Sequence, residues 1–362
     1  MKVIKVNLPK NSYNIYIKQN LFKDIGRYVK KLNLGNFAVI VTSRSVFSFY
    51  AKTIAKSFVN LSHTAIILPD GESAKQKTSL FGIIQKILKV NTLNRKVFIV
   101  CLGGGTVGDA GGFAASIYKR GIPYIQVPTT LLAQIDASIG GKTAIDLKEA
   151  KNILGAFYQP KAVFIDPNFL NTLGKEQLKE GLAEAIKYAV IKDVGFFAFL
   201  MKNYQEILSL NPVFISKVID TCAGIKANIV AQDEKEKKGI RTILNFGHTF
   251  AHALEAALRY TKLSHGKAVS LGMLYAAYLS SQLGFCSMNE AYQIRDLLEK
   301  FELPVKSKYD FKRVYKAMSY DKKNISGKFR LVLLKDIGKV KVVDEIPEKI
   351  ISKTLKEFRV FI

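Results

Sequence analysis

The chain has 362 residues, 48% hydrophobic and 23% charged, the balance of a soluble globular protein with room for about two domains. It has no run of roughly 18 apolar residues, no signal-like apolar core in Met1–Asn20 and only three scattered cysteines; these exclude a membrane span, a disulfide framework and a thiolate zinc site, so no membrane partner and a cytoplasmic location are expected. The formal net charge of +26 leaves nucleic acid or a small anion as partner, but the lysines are spread along the chain without an RNP-like strand, a zinc finger or a basic helix, so a small anionic substrate is expected and specific nucleic-acid binding is kept only as the alternative.

The first half alternates short β-branched runs with helical patterns. Phe37–Val41, Thr64–Leu68, Lys96–Cys101, Tyr124–Val127 and Ala162–Ile165 read as buried parallel strands, with helices between them over Ser73–Val90 and Asp109–Lys119. That alternation predicts a Rossmann-like open parallel sheet with helices on both faces, and ligands at the carboxyl ends of its strands. Beyond Asp166-Pro167 amphipathic helical patterns dominate, over Lys175–Lys192, Pro212–Glu236, Thr249–Tyr260, Lys267–Leu283 and Met288–Phe301. Strands return only at Phe329–Leu334 and Val340–Val343. The expected division is an α/β domain over residues 1–166 and a mainly helical domain over residues 167–362.

Directly after the strand ending at Cys101-Leu102 comes Gly103-Gly104-Gly105-Thr106-Val107-Gly108-Asp109, then a helix. Such glycines let a backbone approach a pyrophosphate at a helix N-terminus. The acidic residue about twenty positions on that usually accompanies this pattern is missing. Two readings follow, a dinucleotide site of a different layout or a tight strand–helix turn. Asp70-Gly71-Glu72 with Lys75 follows the second strand, where Glu72 could take ribose hydroxyls and Lys75 a phosphate, or Asp70 could simply cap a helix. Pro128-Thr129-Thr130 ends a further strand. The loop-like stretch Gln134–Thr143 carries Asp136 and Lys142, and Lys151-Asn152 follows nine residues later.

Three of the four histidines, His248, His252 and His265, fall within eighteen residues. His248 and His252 are four apart and share a helix face, which suits either a common ligand or an ordinary polar surface. Glu184 lies among small and apolar residues on a predicted helix; it either pairs with Lys187 one turn on or completes a His, His, Glu metal site with open positions. The chain lacks the glutamate of a zincin motif, which argues against proteolysis.

Together these motifs make the chain resemble the 3-dehydroquinate synthase family over essentially its full length. The matching stretches are DGExxK at Asp70–Lys75, GGGxxGDxxGF at Gly103–Phe113, the long run Arg120–Asp146, KNxxGxFxQP at Lys151–Pro160, GLAExIKY at Gly181–Tyr188, RxxLNFGHTFxHxxE at Arg241–Glu255 and HGxAVxxGM at His265–Met273. The resemblance implies an NAD-binding first domain and a second domain that binds metal and substrate. It implies Glu184, His248 and His265 as zinc ligands, or ligands of cobalt or another divalent ion, with His252 on the substrate phosphate instead. The implied NAD positions are Asp70, Glu72, Lys75, Gly104, Gly105, Thr106, Asp109, Thr129, Thr130, Lys142, Lys151, Phe169 and Thr172. The implied substrate positions are Asp136, Lys142, Asn152, Lys187, Lys226, Arg241, Asn245, His252 and Lys322, with Arg330 an alternative phosphate contact. Arg120 matches a residue that reaches a neighbouring subunit's site, which implies a homodimer. The implied activity converts 3-deoxy-D-arabino-heptulosonate 7-phosphate to 3-dehydroquinate and phosphate through transient oxidation, elimination, reduction and aldol closure. A related metal-dependent polyol dehydrogenase and another sugar-phosphate cyclase are the alternatives.

Overall fold

A computed structural model of the protein describes residues 1–147, 150–258, 263–319 and 328–361. The chain divides into two compact units. The first comprises Met1–Gly174 and Ser216–Lys235, the second Lys175–Ile215 and Glu236–Ile362.

In the first unit the elements run β1 (Lys2–Val6), β2 (Tyr13–Ile17), α1 (Ile25–Leu32), β3 (Phe37–Ser43), α2 (Arg44–Ser57), β4 (Ser62–Leu68), α3 (Lys77–Val90), β5 (Val97–Gly103), α4 (Gly105–Ile117), β6 (Tyr124–Pro128), β7 (Lys142–Ile145), β8 (Leu154–Phe157) and β9 (Ala162–Ile165). Among the described residues the main sheet has seven strands in the order β1-β2-β9-β6-β5-β3-β4. Only the β1–β2 pair is antiparallel; the neighbouring pairs from β2 to β4 are parallel. Every residue of β3, β5, β6 and β9 is buried, because helices cover both faces. Alternation along each strand sorts the side chains. Val39, Val41, Ile99 and Cys101 pack with Ile83 and Ile87 of α3 and Ala110 and Ala114 of α4. Ala38, Ile40, Val100 and Leu102 pack on the other face with Ile25 and Val29 of α1 and Ile54 of α2.

The five strands expected from apolar runs are present. The hairpin β1–β2 is an addition: β1 keeps most of its side chains exposed, so it shows no buried pattern. The stretch Gln134–Thr143 is not all loop. Ala133–Ala137 forms one wide helical turn, and Lys142 begins β7, which pairs antiparallel with β8. Asp166 closes β9 by accepting the backbone N–H groups of Asn20 (3.0 Å), Phe22 (3.0 Å) and Asn168 (3.1 Å).

The second unit is built from α5 (Lys175–Lys192), α6 (Val194–Leu208), α8 (His248–Ala257), α9 (His265–Gln282), α10 (Met288–Lys300), α11 (Phe311–Ser319), the antiparallel hairpin β10 (Lys328–Asp336) and β11 (Lys339–Pro347), and α12 (Glu348–Phe361). Helix α7 (Pro212–Gln232) starts in this unit and runs on into the first. α5 is buried from Gly181 to Ile191 and α9 from Ala268 to Ser280, the signature of helices surrounded on all sides. The hairpin is fastened to both: Gly338 N–H donates to the Val190 carbonyl (2.8 Å), and Leu334 N–H to Ser280 Oγ (2.8 Å). No described helix is long and apolar enough to cross a membrane.

Candidate functional site

The parallel strands of the first unit deliver their carboxyl ends, and the loops after them, to one edge of the sheet. Asp70, Glu72 and Lys75 follow β4, Gly104, Gly105, Thr106 and Asp109 follow β5, and Thr129 and Thr130 follow β6. Lys75 is buried, and its Nζ sits 2.7 Å from Asp109 Oδ2 and against Asn152 Oδ1. Asn152 is held in turn by its N–H to Asp146 Oδ1 (2.7 Å), and Asp146 N–H donates to the Lys75 carbonyl (2.8 Å). Burial pushes the Asp109 carboxyl up to about 6, against the pull of Lys75. Four residues from three separate stretches of the chain thus form one network beside the glycine turn.

The outer parts of this edge are more open. Lys151 and Glu72 are exposed and pair at 3.6 Å. Asp70 occupies a helix-cap position without capping; its Oδ1 accepts from Ser45 Oγ (2.6 Å) and Ser45 N–H (3.1 Å). The hydrogen bonds from Ser45 hold its carboxyl below the usual carboxylate range. Thr130 Oγ1 accepts from Ala133 N–H (3.2 Å), and Thr129 is buried beside the end of β5. Phe169 is buried against Phe22 and Tyr50, and the exposed Thr172 shares a 2.8 Å hydrogen bond with the Tyr50 hydroxyl. Asp136, in the wide turn after β6, meets Lys226 of α7 at 2.6 Å. Lys142 lies exposed on β7, and Arg120 exposed at the end of α4 with a left-handed backbone (φ 63°).

In the second unit Glu184, His248 and His265 come together from three helices. Close backbone packing makes this possible. Gly247 has φ +77°, and a Cβ there would lie 2.6 Å from Met273 N, so only glycine lets α8 begin against α9. At the start of α9 a Cβ on Gly266 would lie 2.5 Å from Glu180 Cα, which brings His265 onto α5 one turn from Glu184. Glu184 Oε1 then stands 3.4 Å from His248 Nε2 and 3.5 Å from His265 Nε2. Donors bound to a tetrahedral zinc at about 2.1 Å are about 3.4 Å apart, the spacing of Glu184 Oε1 from each imidazole nitrogen, and the three ligand atoms all lie within 4.8 Å of one another. The donor set, one carboxylate and two imidazoles, is that of an open catalytic site rather than a closed structural one.

The electrostatics of Glu184 and His248 support the same use. Glu184 Oε2 contacts the buried Lys187 ammonium. Burial raises the Glu184 carboxyl, but Lys187 and His248 outweigh it and hold the group well below the carboxylate range. Burial, aided by Lys187, lowers His248, which keeps a lone pair available. Burial also opposes charge on His265, but hydrogen bonds to Glu184 and Glu255 prevail and push it up to about 10, so this ring carries a second proton that a metal ion must displace before Nε2 can bind it. The two readings of Glu184 do not compete: one oxygen serves Lys187 and the other faces the imidazoles.

His252 lies on the exposed side of the cluster, its ring 5.5 Å from His248 and 6.3 Å from His265. It stands outside the Glu184 group but belongs to a second ligand-type group with Glu255 and His265. Glu255 ends the stretch Arg241–Glu255, and its place one turn after His252 on α8 is the signal that it shares that face. Arg241 is buried with Nε 3.2 Å from Glu236 Oε1, and Asn245 is half-buried at the end of the same short turn. Arg330 pairs with Asp344 at 3.0 Å. Lys322 lies outside the described residues.

Similarity to known proteins covers both units. A family model described as the 3-dehydroquinate synthase N-terminal domain matches residues 65–180, and its C-terminal counterpart matches residues 181–324. A 3-dehydroquinate synthase of Nitrosococcus oceani is 42% identical over 360 residues, 98% of this chain and 99% of that one. One of Ruthia magnifica is 40% identical over 360 residues, 99% of each. A solved 2-epi-5-epi-valiolone synthase of Streptomyces hygroscopicus, with NAD+ and Zn2+ bound, superposes with a TM-score of 0.87 at 26% identity, over 98% of this chain and 99% of that one.

Proposed function

The chain belongs to the 3-dehydroquinate synthase family, and from that premise we propose how its residues divide the reaction. It is an enzyme that eliminates phosphate from a sugar phosphate and closes a carbocycle.

Glu184, His248 and His265 hold a divalent ion, zinc or cobalt, as bound in solved relatives of the same fold. The strand-end residues of the first unit, with Lys75, Asp109, Gly104, Gly105, Thr106, Thr129 and Thr130 at their centre and Asp70, Glu72, Lys142, Lys151, Phe169 and Thr172 around them, hold NAD. When bound, NAD supplies a transient oxidation and re-reduction, and the ion polarises substrate hydroxyls. The chain's own side chains do the rest. Lys187 keeps Glu184 ionised, so the ligand oxygen stays an acceptor. Lys142, Arg241, Lys226 and Lys322 supply cations for the carboxylate and phosphate of the substrate. Asp136, Asn152 and Asn245 take its hydroxyls, and His252 takes the leaving phosphate. Asp136 orients the Lys226 ammonium at 2.6 Å.

The single observation that carries this reading is the approach of one buried carboxylate oxygen to two imidazole nitrogens at 3.4 and 3.5 Å. The basic surface serves a small anion rather than nucleic acid, and Arg120, exposed at the end of α4, completes a neighbouring copy's site in a homodimer. The test is phosphate release from the heptulosonate phosphate, with and without chelator and NAD. Phosphate should appear without net NADH, and either adding the chelator or omitting NAD should abolish it. Stoichiometric NADH would identify a polyol dehydrogenase, and absence of phosphate release would overturn the assignment.

A further inference from the structure

Two overlapping groups of ligand-type side chains occupy the second unit, Glu184–His248–His265 and His252–Glu255–His265. They share His265 but use its two nitrogens separately. Nε2 faces Glu184 Oε1 at 3.5 Å, and Nδ1 faces Glu255 Oε1 at 3.2 Å. A neutral imidazole has one lone pair and one N–H, so only one of these nitrogens can bind a metal. His248 indicates which: its Nδ1 lies 3.2 Å from the Phe246 carbonyl, an acceptor that requires an N–H there and leaves Nε2 for the metal beside Glu184. The same tautomer on His265 places its N–H on Glu255. The second group is therefore the outer support of the first rather than a separate site.

We propose that Glu255 is a positioning residue that accepts the Nδ1–H of His265 and so fixes the tautomer and ring orientation whose Nε2 lone pair joins Glu184 and His248. This rests on the metal-site reading above and deepens it. The two ligand histidines are unequal in a way that explains the difference in their supports. The His248 side chain is 13% exposed and is held by a neutral carbonyl. The His265 side chain is 35% exposed and is held by a carboxylate that is itself only 11% exposed. A charged acceptor binds N–H more strongly than a neutral one and raises the basicity of the opposite nitrogen. The less enclosed ligand thus has the firmer anchor.

The test uses the full chain, with Zn2+ affinity read by competition against a chromophoric chelator and the visible spectrum of the Co2+-loaded protein as a second readout. Glu255→Ala should weaken zinc about 10- to 100-fold and alter the cobalt bands, while the unfolding midpoint of the metal-free protein stays near that of the wild type. Glu255→Gln, which keeps the acceptor oxygen and the shape, should recover most of the affinity and restore the cobalt spectrum. A general packing role would instead lower metal-free stability and leave the spectrum of the folded fraction unchanged. If Glu255→Ala binds zinc like the wild type while His265→Ala loses it, the positioning role is wrong and the metal site stands. If His265→Ala also binds like the wild type, the metal-site reading itself has failed. Should the alanine variant not fold, wild-type affinity and spectrum in Glu255→Asp, whose shorter arm cannot reach Nδ1 unaided, would overturn the proposal.

Discussion

Lys75 and Asp109 meet at 2.7 Å with side-chain exposures of 6% and 23%, an ion pair largely withdrawn from water at the glycine turn. Removing one partner of a buried pair leaves an uncompensated charge, a change that costs about 3–5 kcal/mol where burial is complete. With Asp109 partly open, Lys75→Met should cost about 2–3 kcal/mol in urea unfolding. Adding Asp109→Asn should recover at least half of that, because the stranded charge is gone. A single-variant cost below about 0.5 kcal/mol would mean that water screens the pair.

The same aspartate makes stability depend on pH. Burial outweighs Lys75 and places Asp109 at about 6, whereas an unfolded aspartate titrates near 3.9. The folded value is the higher one, so the folded chain binds the proton more tightly. That contribution is complete below about pH 3.9 and is lost as pH rises through about 6. Asp109→Asn lacks it. Wild-type stability minus that of the variant should therefore fall by on the order of 2 kcal/mol between about pH 4 and 6.5, then level off. A difference that stays flat across this window would refute the shift.

The buried strands of the first unit are legible in the sequence because a two-sided sheet writes unbroken apolar runs, such as Val97–Leu102. Pairings that depend on distant partners are not. β7 and β8 are four residues each, one with Gly155 inside it, and nothing local says that Lys142 lies opposite Phe157. Asn152 is picked out as a substrate position by the resemblance, and nothing local says that it contacts Lys75 across 77 positions of sequence. At the Glu184–His248–His265 cluster the residue types are legible and the division of labour is not. The i,i+3 spacing of Glu184 and Lys187 predicts an ion pair, and only the packing of α8 and α9 onto α5 shows that the second oxygen remains for two imidazoles.

Removal of metal should be reversible. Glu184, His248 and His265 come from separate helices that pack through backbone contacts at Gly247 and Gly266, so the second unit does not need an ion to bring them together. Chelation should abolish activity, and added Zn2+ or Co2+ should restore it without refolding. Zinc at about a hundred times its Kd should raise stability by about 2.7 kcal/mol. His265→Ala should remove both the stoichiometric metal and that increment, with circular dichroism unchanged. Retention of one zinc per chain by this variant would exclude His265 as a ligand.

Lys142 separates binding chemistry from stability. Its side chain is exposed on β7, next to Gly141, whose left-handed backbone (φ +69°) lies against Gln159. Truncation of an exposed side chain away from the core shifts stability by only about 0.5 kcal/mol. A lysine that pairs with an anion of the reacting substrate is worth far more, about 2–3 kcal/mol in kcat/KM for a charge-assisted contact. Lys142→Ala should thus lower kcat/KM about 30- to 150-fold while its urea midpoint stays within error of the wild type. Lys142→Arg keeps the charge but not the point geometry, so it should recover only part of the loss. Rising ionic strength should shrink the gap between Lys142→Ala and the wild type only slightly if the contact is made in a closed site, and abolish it if the lysine only steers the substrate from the surface. Kinetics of the alanine variant equal to those of the wild type at low salt would remove Lys142 from the substrate site.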